Sequence, residues 1–479
     1  MRSDRIPRAA VASAIAALAF SCERGDPAPS APPHAPPRRP NLVVVTIESL
    51  RADHMGWLGY PRATTPALDA LARESLDFPR AYTVTSWTLT SHATLFTGLY
   101  PAAHRVREPR DALAPSATTF AKLLSGKGWQ TAGVVSGPYL CKPYGLDLGF
   151  ETWDDSIAPD ADHLDREPTD PKMEAAVRRF LDAGRDPARP FLLFLYFWDP
   201  HYAYLPPPPF DAQFVPAGAQ KVDLTDYERN TKVNATMPRP QLDYVVSQYD
   251  GEIRATDETL GHIFALLRER GLWDDTALVV TADHGEEFFD HGQKGHKNNL
   301  YVESLHVPLL VKPAKGTPAA APRRDERIVN GVDLFPTVLE LAGVDYDGPM
   351  HGRSLLGDDA PERPTFHELA TSWYFTTPGS EKLTRRSDRW SAVRSGDRIL
   401  FTIDFHDGRK ERRLYDLSAD PREQKRLDDP ASADALALRL EKFHGDMERL
   451  AGKLAEPERA DLTPEQEQRL RAMGYLKDK

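Results

Sequence analysis

Five short apolar runs alternate along the chain with longer segments of helical periodicity. They cover residues 42–47, 131–136, 191–197, 277–282 and 307–312. Continuous apolar runs of this length are typical of strands buried on both faces of a sheet, and their alternation with helices indicates parallel pairing. We therefore expect an α/β fold with a large mixed, mostly parallel sheet flanked by helices.

The pattern changes after residue 365. The elements predicted there are strands at 390–395, 398–404 and 412–417 and helices at 431–451 and from 464 onward. Thr463 and Gln466 form a capping-box pattern at the start of the last helix. Short strands at hairpin spacing favour antiparallel pairing, so we expect residues 366–479 to form a smaller C-terminal subdomain of antiparallel sheet plus helix.

The N-terminus has the pattern of an export signal. Three arginines precede an apolar run at 9–20 that is too short to span a bilayer, and Ser21-Cys22 follow it. We expect residues 1–22 to be a signal peptide of lipoprotein type, with lipidation at Cys22; ordinary signal-peptidase cleavage is the alternative. The expected location is periplasmic or cell-surface, with a membrane contact only through this lipid anchor.

Residues 23–40 are rich in proline and predict an extended linker. Beyond them Cys141 is the one remaining cysteine, so no disulfide framework is expected. The formal net charge is −11 and no basic cluster offsets it, which argues against a nucleic-acid partner.

Polar residues with metal-ligand or acid/base chemistry follow three of the predicted strands. Glu48 follows the first, Asp199-Pro200-His201 the third and Asp283-His284 the fourth. Ligands in open α/β sheets bind at the carboxyl ends of strands, so these side chains are expected to converge. Two carboxylates and an imidazole suit Zn²⁺ or Mn²⁺ better than an all-oxygen Ca²⁺ site.

Several motifs in order resemble the sulfatase family, within the alkaline phosphatase superfamily. The matching stretches are NLVVVTIESLRADHMGWLGY, SWTLTSHATLFTGLYP, YFWDPHYAYLPPPPF, YDGEIRATDETLG, VVTADHGEEFFDHGQKGHKN, SLHVPLLV, LYDLSADPREQ and RLRAMGYL. The resemblance covers nearly everything from residue 41 onward and implies that residues 41–365 are a sulfatase-like catalytic domain.

The nucleophile position departs from the family pattern. Sulfatases place Cys or Ser at the head of a Cys/Ser-x-Pro-x-Arg signature and oxidise it to formylglycine, whereas the aligned residues here are TLTSH, beginning at Thr88. Oxidation of threonine would give a ketone and not the aldehyde, so no formylglycine is expected. Ser86 is an alternative nucleophile that lies two residues out of register.

The resemblance implies a role for each site residue. Thr88 would be the nucleophile, His201 would contact the ester and protonate the leaving group, and His296 would bind substrate where sulfatases have a lysine. His92 and Lys294 are further predicted substrate contacts. The alternatives are that His92 caps the helix and that Lys294, like Lys297, is a solvated loop residue. One divalent metal ion, Zn²⁺ or Mn²⁺ with Ca²⁺ and Mg²⁺ as alternatives, would be held by a set of four side chains: Glu48, Thr88, Asp283 and His284.

The sequence thus predicts an exported, metal-dependent ester hydrolase acting on a small-molecule, lipid or glycan ester. The threonine favours a phosphoester or phosphonate ester, because a phosphothreonine can be resolved by water without a second hydroxyl. Three alternatives stay open: a true sulfatase, a transferase that passes a phospho group to a lipid or glycan, and an inactive surface lipoprotein that only binds.

Overall fold

The computed structural model describes residues 39–159, 168–317, 321–357, 361–370, 373–376, 383–472 and 476. The predicted signal peptide with Cys22, and the predicted linker up to residue 38, lie outside the described residues. Within the described part of the chain, no helix combines the length and the apolar character that a bilayer crossing requires.

The strands range from two to seven residues. In chain order they are β1 (Asn41–Ile47), β2 (Leu76–Asp77), β3 (Ala81–Tyr82), β4 (Asp111–Ala112), β5 (Gln130–Val135), β6 (Thr152–Asp154), β7 (Phe191–Phe197), β8 (Thr276–Ala282), β9 (Glu287–Phe288), β10 (Lys294–Gly295), β11 (Leu309–Lys312), β12 (Arg323–Arg324), β13 (Val329–Asn330), β14 (Thr365–Leu369), β15 (Trp373–Thr376), β16 (Leu383–Arg386), β17 (Arg389–Ser395), β18 (Arg398–Asp404), β19 (Lys410–Asp416) and β20 (Glu458–Arg459).

Two of the helices are long, at 31 residues (Arg239–Glu269) and 22 residues (Pro430–Ala451). In chain order the α-helices are α1 (Pro66–Ala72), α2 (Thr88–Thr97), α3 (Pro101–His104), α4 (Phe120–Gly126), α5 (Asp170–Arg179), α6 (Phe210–Gln213), α7 (Arg239–Glu269), α8 (Val302–Leu305), α9 (Leu334–Ala342), α10 (Pro430–Ala451) and α11 (Pro464–Ala472).

An eight-stranded sheet forms the centre, in the order β12-β2-β11-β8-β1-β7-β5-β6. The five neighbours from β8 to β6 run parallel, and β11 pairs antiparallel with β8. Every residue of β1, β7 and β8 is buried, as the continuous apolar runs predict. The predicted mixed, mostly parallel α/β sheet is confirmed.

The C-terminal part contains a separate four-stranded antiparallel sheet in the order β14-β17-β18-β19. Apolar side chains of α10 join residues of β17 and β18 in a second hydrophobic cluster, which includes Phe443, Val393 and Leu400. The capping box forms as predicted: the Thr463 amide donates to Gln466 Oε1 (3.0 Å), and the Gln466 amide donates to Thr463 Oγ1 (3.2 Å).

Phe194 on β7 lies at the centre of the main core. It is 0% exposed, and its ring contacts those of Phe96, Phe150 and Trp153, with centroids 4.9–6.3 Å apart. Phe194→Ala should lower the free energy of unfolding by about 3–5 kcal/mol, because it removes these contacts and leaves a cavity. Urea unfolding monitored by circular dichroism measures the loss.

The matched control is Leu438→Ala on α10, because that leucine is 66% exposed. Its effect should stay within about 0.5 kcal/mol. Equal losses for the two variants would contradict the assignment of Phe194 to the core.

Candidate active site

Three adjacent strands place the site at the carboxyl edge of the central sheet. Glu48 follows β1, Asp283 and His284 follow β8, and His201 lies four residues beyond the end of β7. Because β7 and β8 flank β1 in parallel, their ends meet there. Helix α2 begins at Thr88 beside the same edge.

Thr88 contacts two of the three side chains predicted to bind the metal ion with it. Its Oγ1 lies 3.2 Å from each carboxylate oxygen of Glu48 and 3.2 Å from His284 Nε2. All three side chains are buried. Since Thr88 is the first residue of α2, its hydroxyl lies at the helix end whose free N–H groups stabilise developing negative charge. Ser86, the alternative nucleophile, donates instead to the Asn299 carbonyl at 2.7 Å.

His284 is oriented as metal-binding histidines are. Its Nδ1 contacts the Gly285 carbonyl at 2.9 Å, which favours a proton on Nδ1 and leaves Nε2 directed at Glu48 Oε1, 3.1 Å away. Burial alone would lower the pKa of His284, but the Asp283 and Glu48 carboxylates outweigh it and raise the pKa to about 9. Burial would raise the pKa of Glu48, yet His284 holds it well below its usual value. Bound metal would take the place of this imidazolium proton.

Asp283 has one satisfied and one unsatisfied oxygen. Oδ1 accepts hydrogen bonds from the amides of Ser49 (3.1 Å) and His284 (2.9 Å). Oδ2 is buried 3.5 Å from His284 Nε2 and has no hydrogen-bond partner among the described residues. A buried carboxylate oxygen without a donor is costly, so this atom fits a cation bound between Asp283 and its neighbours.

His296 was predicted to contact substrate, but it lies next to two of the predicted metal ligands. Ligand atoms of Glu48, His284 and His296 lie within 4.8 Å of one another, and the two imidazole centroids are 4.4 Å apart. Burial, followed by the charges of His284 and His201, lowers the pKa of His296 well below its usual value. A neutral imidazole at this distance is a further candidate ligand.

His201 is stacked on Trp198, with ring centroids 3.8 Å apart, and lies 5.2 Å from the His296 ring. Its Nδ1 contacts the Tyr202 carbonyl at 2.5 Å, whereas the buried Nε2 has no hydrogen-bond partner among the described residues. Burial lowers the pKa of His201 to about 4. The described residues thus leave Nε2 available to a ligand.

Two predicted substrate contacts, His92 and Lys294, form hydrogen bonds to other parts of the protein. His92 is fully buried, with Nδ1 2.9 Å from the Thr88 carbonyl and Nε2 2.9 Å from Thr46 Oγ1. It therefore braces the first turn of α2 against β1.

The Lys294 ammonium donates to three backbone carbonyls, those of Tyr227, Asn230 and Val233, at 2.6–3.0 Å. It ties down that loop with all three of its hydrogens, and its role as a substrate contact stays a prediction.

Lys297 is a buried positive charge near the site, and the sequence analysis did not predict its burial. It is 1% exposed, its Nζ lies 3.5 Å from Glu228 Oε1, and its charge helps to lower the pKa values of His201 and His296. Both lysines flank His296 in sequence, so spacing alone could not choose between them.

Tyr196 is a second residue that the sequence analysis missed. Its hydroxyl donates to Glu48 Oε2 from within the buried strand β7. Ser49 Oγ donates to Glu48 Oε1 at 3.0 Å, so both oxygens of the carboxylate are oriented by neighbours. The sequence FLLFLYF could have indicated this contact, because a tyrosine in a strand expected to be buried usually has a hydrogen-bond partner for its hydroxyl.

Comparison with known proteins identifies the family. The family model Sulfatase matches residues 40–344, and the model N-sulphoglucosamine sulphohydrolase, C-terminal, matches residues 288–449. The multifunctional alkaline phosphatase superfamily protein PehA of Trinickia caryophylli is 26% identical over 481 residues, covering 82% of this chain and 92% of that protein. N-acetylglucosamine-6-O-sulfatase of Bacteroides thetaiotaomicron is 23% identical over 474 residues (81% and 83%).

Among solved structures, the phosphonate monoester hydrolase of Agrobacterium radiobacter superimposes with a TM-score of 0.64 at 22% identity. The match covers 87% of this chain and 96% of that one, and it supports the fold. The Sulfatase model alone spans more than half of the 479 residues. The chain therefore belongs to the sulfatase family, within the alkaline phosphatase superfamily, and is an ester hydrolase of that family.

Proposed function

We propose that this hydrolase is exported, depends on a divalent metal ion and cleaves phosphoesters or phosphonate esters with Thr88 as nucleophile. The observation that carries the proposal is the position of Thr88 Oγ1, 3.2 Å from Glu48 and from His284 at the start of α2. The proposed export follows from the N-terminal pattern of residues 1–22.

The donor set supports a metal ion of intermediate hardness. Glu48, Asp283, His284 and the Thr88 hydroxyl would hold it, with His296 as a further candidate, and mixed carboxylate and imidazole ligands suit Zn²⁺ or Mn²⁺. The unsatisfied Oδ2 of Asp283 is the clearest sign that a cation belongs here. Such an ion would lower the pKa of a coordinated hydroxyl and neutralise charge on the attacked group.

The side chain of Thr88 favours phosphorus over sulfur as the attacked atom. In the proposed reaction the Thr88 hydroxyl releases its proton to solvent, which a cation at this site would favour. Its Oγ then bonds to phosphorus while the bond to the leaving alcohol oxygen breaks, and that oxygen takes a proton from His201 Nε2. Water then attacks phosphorus and gives a proton back to His201, while the bond from phosphorus to Thr88 Oγ breaks and Oγ recovers a proton from solvent. A formylglycine hydrate instead expels sulfate through its second hydroxyl, which threonine lacks.

The remaining basic residues fit an anionic substrate. Lys297 is a buried ammonium whose charge acts on both His201 and His296. Negative charge on a bound ester would raise the pKa of His201 and so favour the protonated form that a general acid needs. We propose that Lys297 and His296 bind non-bridging oxygens, unless His296 ligates the metal.

Metal binding can be tested without a substrate. In chelator-stripped protein, Glu48→Gln and His284→Asn should weaken Mn²⁺ or Zn²⁺ binding in isothermal titration calorimetry. The loss should exceed the roughly 10–100-fold typical of outer-shell partners, because each removes a direct ligand. His262→Asn, at an exposed histidine of α7, is the control for adventitious binding.

His296→Asn separates the two roles of that residue. A loss of affinity would make it a ligand, whereas unchanged metal affinity with a raised KM would make it a substrate contact. Unaltered affinity in both Glu48→Gln and His284→Asn would contradict the proposed site.

The nucleophile is tested with p-nitrophenyl esters of sulfate, phosphate, a phosphodiester and a phosphonate, each with Mn²⁺ or Zn²⁺. Wild-type protein should turn over the phosphorus esters, Thr88→Ala should lose that turnover, and Thr88→Ser should keep part of it because the hydroxyl remains. Acid-quenched protein should carry a phosphoryl group on the peptide that contains Thr88. Turnover of the sulfate alone would refute the preference for phosphorus, and transfer to an added alcohol in place of water would favour the transferase.

His201 is tested through the leaving group. His201→Gln should lower kcat/KM by about 10²–10⁴-fold for esters of weakly acidic alcohols, and much less for p-nitrophenol, which leaves without a proton. The measurement is kcat/KM across an aryl ester series, with Thr88→Ala as the variant that loses all members alike. An equal loss for every leaving group would assign His201 to binding and not to proton transfer.

A further inference from the structure

Three buried carboxyl groups lie together beside the segment that carries His201. Asp170 begins α5, Asp199 follows β7 and Glu252 lies on α7; they are 3%, 9% and 5% exposed. The charge of Asp199 acts on Asp170, and the charges of Asp199 and Asp170 both act on Glu252. Three ionised carboxylates at this burial would repel one another strongly.

The cluster holds both ends of the segment 199–205. At its start, Asp199 Oδ2 accepts hydrogen bonds from the Thr169 amide (2.8 Å), the Thr169 hydroxyl (3.0 Å) and the Asp170 amide (3.2 Å). At its end, Glu252 Oε1 accepts from the Leu205 amide at 2.8 Å. His201 lies between these two anchors, so its position depends on them.

A buried carboxyl group such as that of Asp170 needs a hydrogen-bond donor. Neither of its oxygens makes a hydrogen bond of ordinary geometry in the described part of the chain. The side chains of Thr256 and Asp199 interact with it, and the Thr256 hydroxyl also donates to the Asp199 carbonyl at 3.3 Å. A carboxyl proton shared with Asp199 would supply that donor, since one protonated group can donate to the other. Burial, then the neighbouring Asp199, raises the pKa of Asp170 well above its usual value, and burial also raises the pKa of Asp199.

We propose that Asp170 is a positioning residue that shares a proton with Asp199 and thereby fixes the segment bearing His201. Loss of that proton leaves two adjacent carboxylates, which repel each other and loosen the start of the segment. The inference rests on the role proposed for His201 where activity is concerned, whereas the proton sharing itself stands independently of substrate.

Asp170→Asn tests the shared proton, because the amide is a permanent donor of the same shape. The folded protein binds a proton at Asp170 that the unfolded chain releases near pH 4, so wild-type stability should fall as pH rises from about 4 through the raised pKa. The Tm of Asp170→Asn minus that of wild type should therefore increase over this range. Glu258→Gln, at a half-exposed carboxylate of α7, is the charge-matched control and should show no such trend.

Activity should follow the same pattern. With a phosphorus ester, kcat/KM of wild type should fall several-fold further at alkaline pH than that of Asp170→Asn, and the two should match at the acid end. The alkaline decline that both proteins share reflects loss of the His201 proton. A flat Tm difference with identical pH–rate profiles would overturn the proposal. If the Tm difference rises but neither protein has activity, the shared proton stands and the proposed function fails.

If Asp170→Asn does not fold, hydrogen exchange in the wild-type protein tests the same proposal. After correction for intrinsic rates, the peptide spanning 199–205 should lose protection at alkaline pH before the peptide spanning β7. Simultaneous loss in both peptides would contradict a local anchor. A rise of Tm on addition of Ca²⁺ that Asp170→Asn abolishes would overturn the proposal, because a cation and not a proton would then join the carboxyls.

Discussion

A concentration of buried charge at the carboxyl edge of the central sheet is the constraint on which the rest of this structure depends. Glu48, Asp283 and His284 are each fully buried, and such groups are tolerated only when charge and hydrogen bonding compensate them. Part of the compensation is internal, because His284 lies 3.1 Å from Glu48. The buried Oδ2 of Asp283 has no hydrogen-bond donor among the described residues, and the proposed cation would complete the compensation.

The surrounding fold is arranged to keep these groups in place. The amide of Ser49 fixes Asp283, and the Tyr196 hydroxyl orients Glu48 from the neighbouring strand. Behind Thr88, His92 joins the first turn of α2 to Thr46 of β1 through both ring nitrogens. Helix α2 is buried along its whole length, so its first residue cannot shift without moving the core. Preorganised donors and charges of this kind are what electrostatic catalysis requires.

Much of this could be predicted from the sequence because it follows from short-range patterns. Continuous apolar runs gave strands such as β1 and β8 within one or two residues, and the rule that parallel strands end together brought Glu48 and Asp283 to one place. The spacing around residue 463 gave the capping box directly.

The other contacts at the site could not be predicted, because they depend on the course of loops and no local sequence pattern determines that course. Lys294 and Lys297 differ by three positions in one loop, yet the first ties down residues 227–233 and the second is buried near the site. Helix α5 lies where the sequence analysis placed no element, and the partner of Asp170 is 29 residues away at the end of β7. The contact of Tyr196 with Glu48 was missed for a different reason. Its strand is buried on both faces, so no alternation of polar and apolar residues indicated which way the hydroxyl points.

Neutral histidines around a buried charge cluster determine how the site responds to substrate. Burial lowers the pKa values of His201 and His92 to about 4, and His296 is lowered as well. An anionic ester that enters beside them reverses part of this effect, because negative charge favours the imidazolium form. In the proposed mechanism His201 therefore gains its transferable proton when substrate binds. The segment that carries His201 must be held firmly for this to occur, and its two anchors are the carboxyls of Asp199 and Glu252. The proposed proton sharing between Asp170 and Asp199 and the proposed general-acid role of His201 are therefore linked through the seven residues of backbone from 199 to 205.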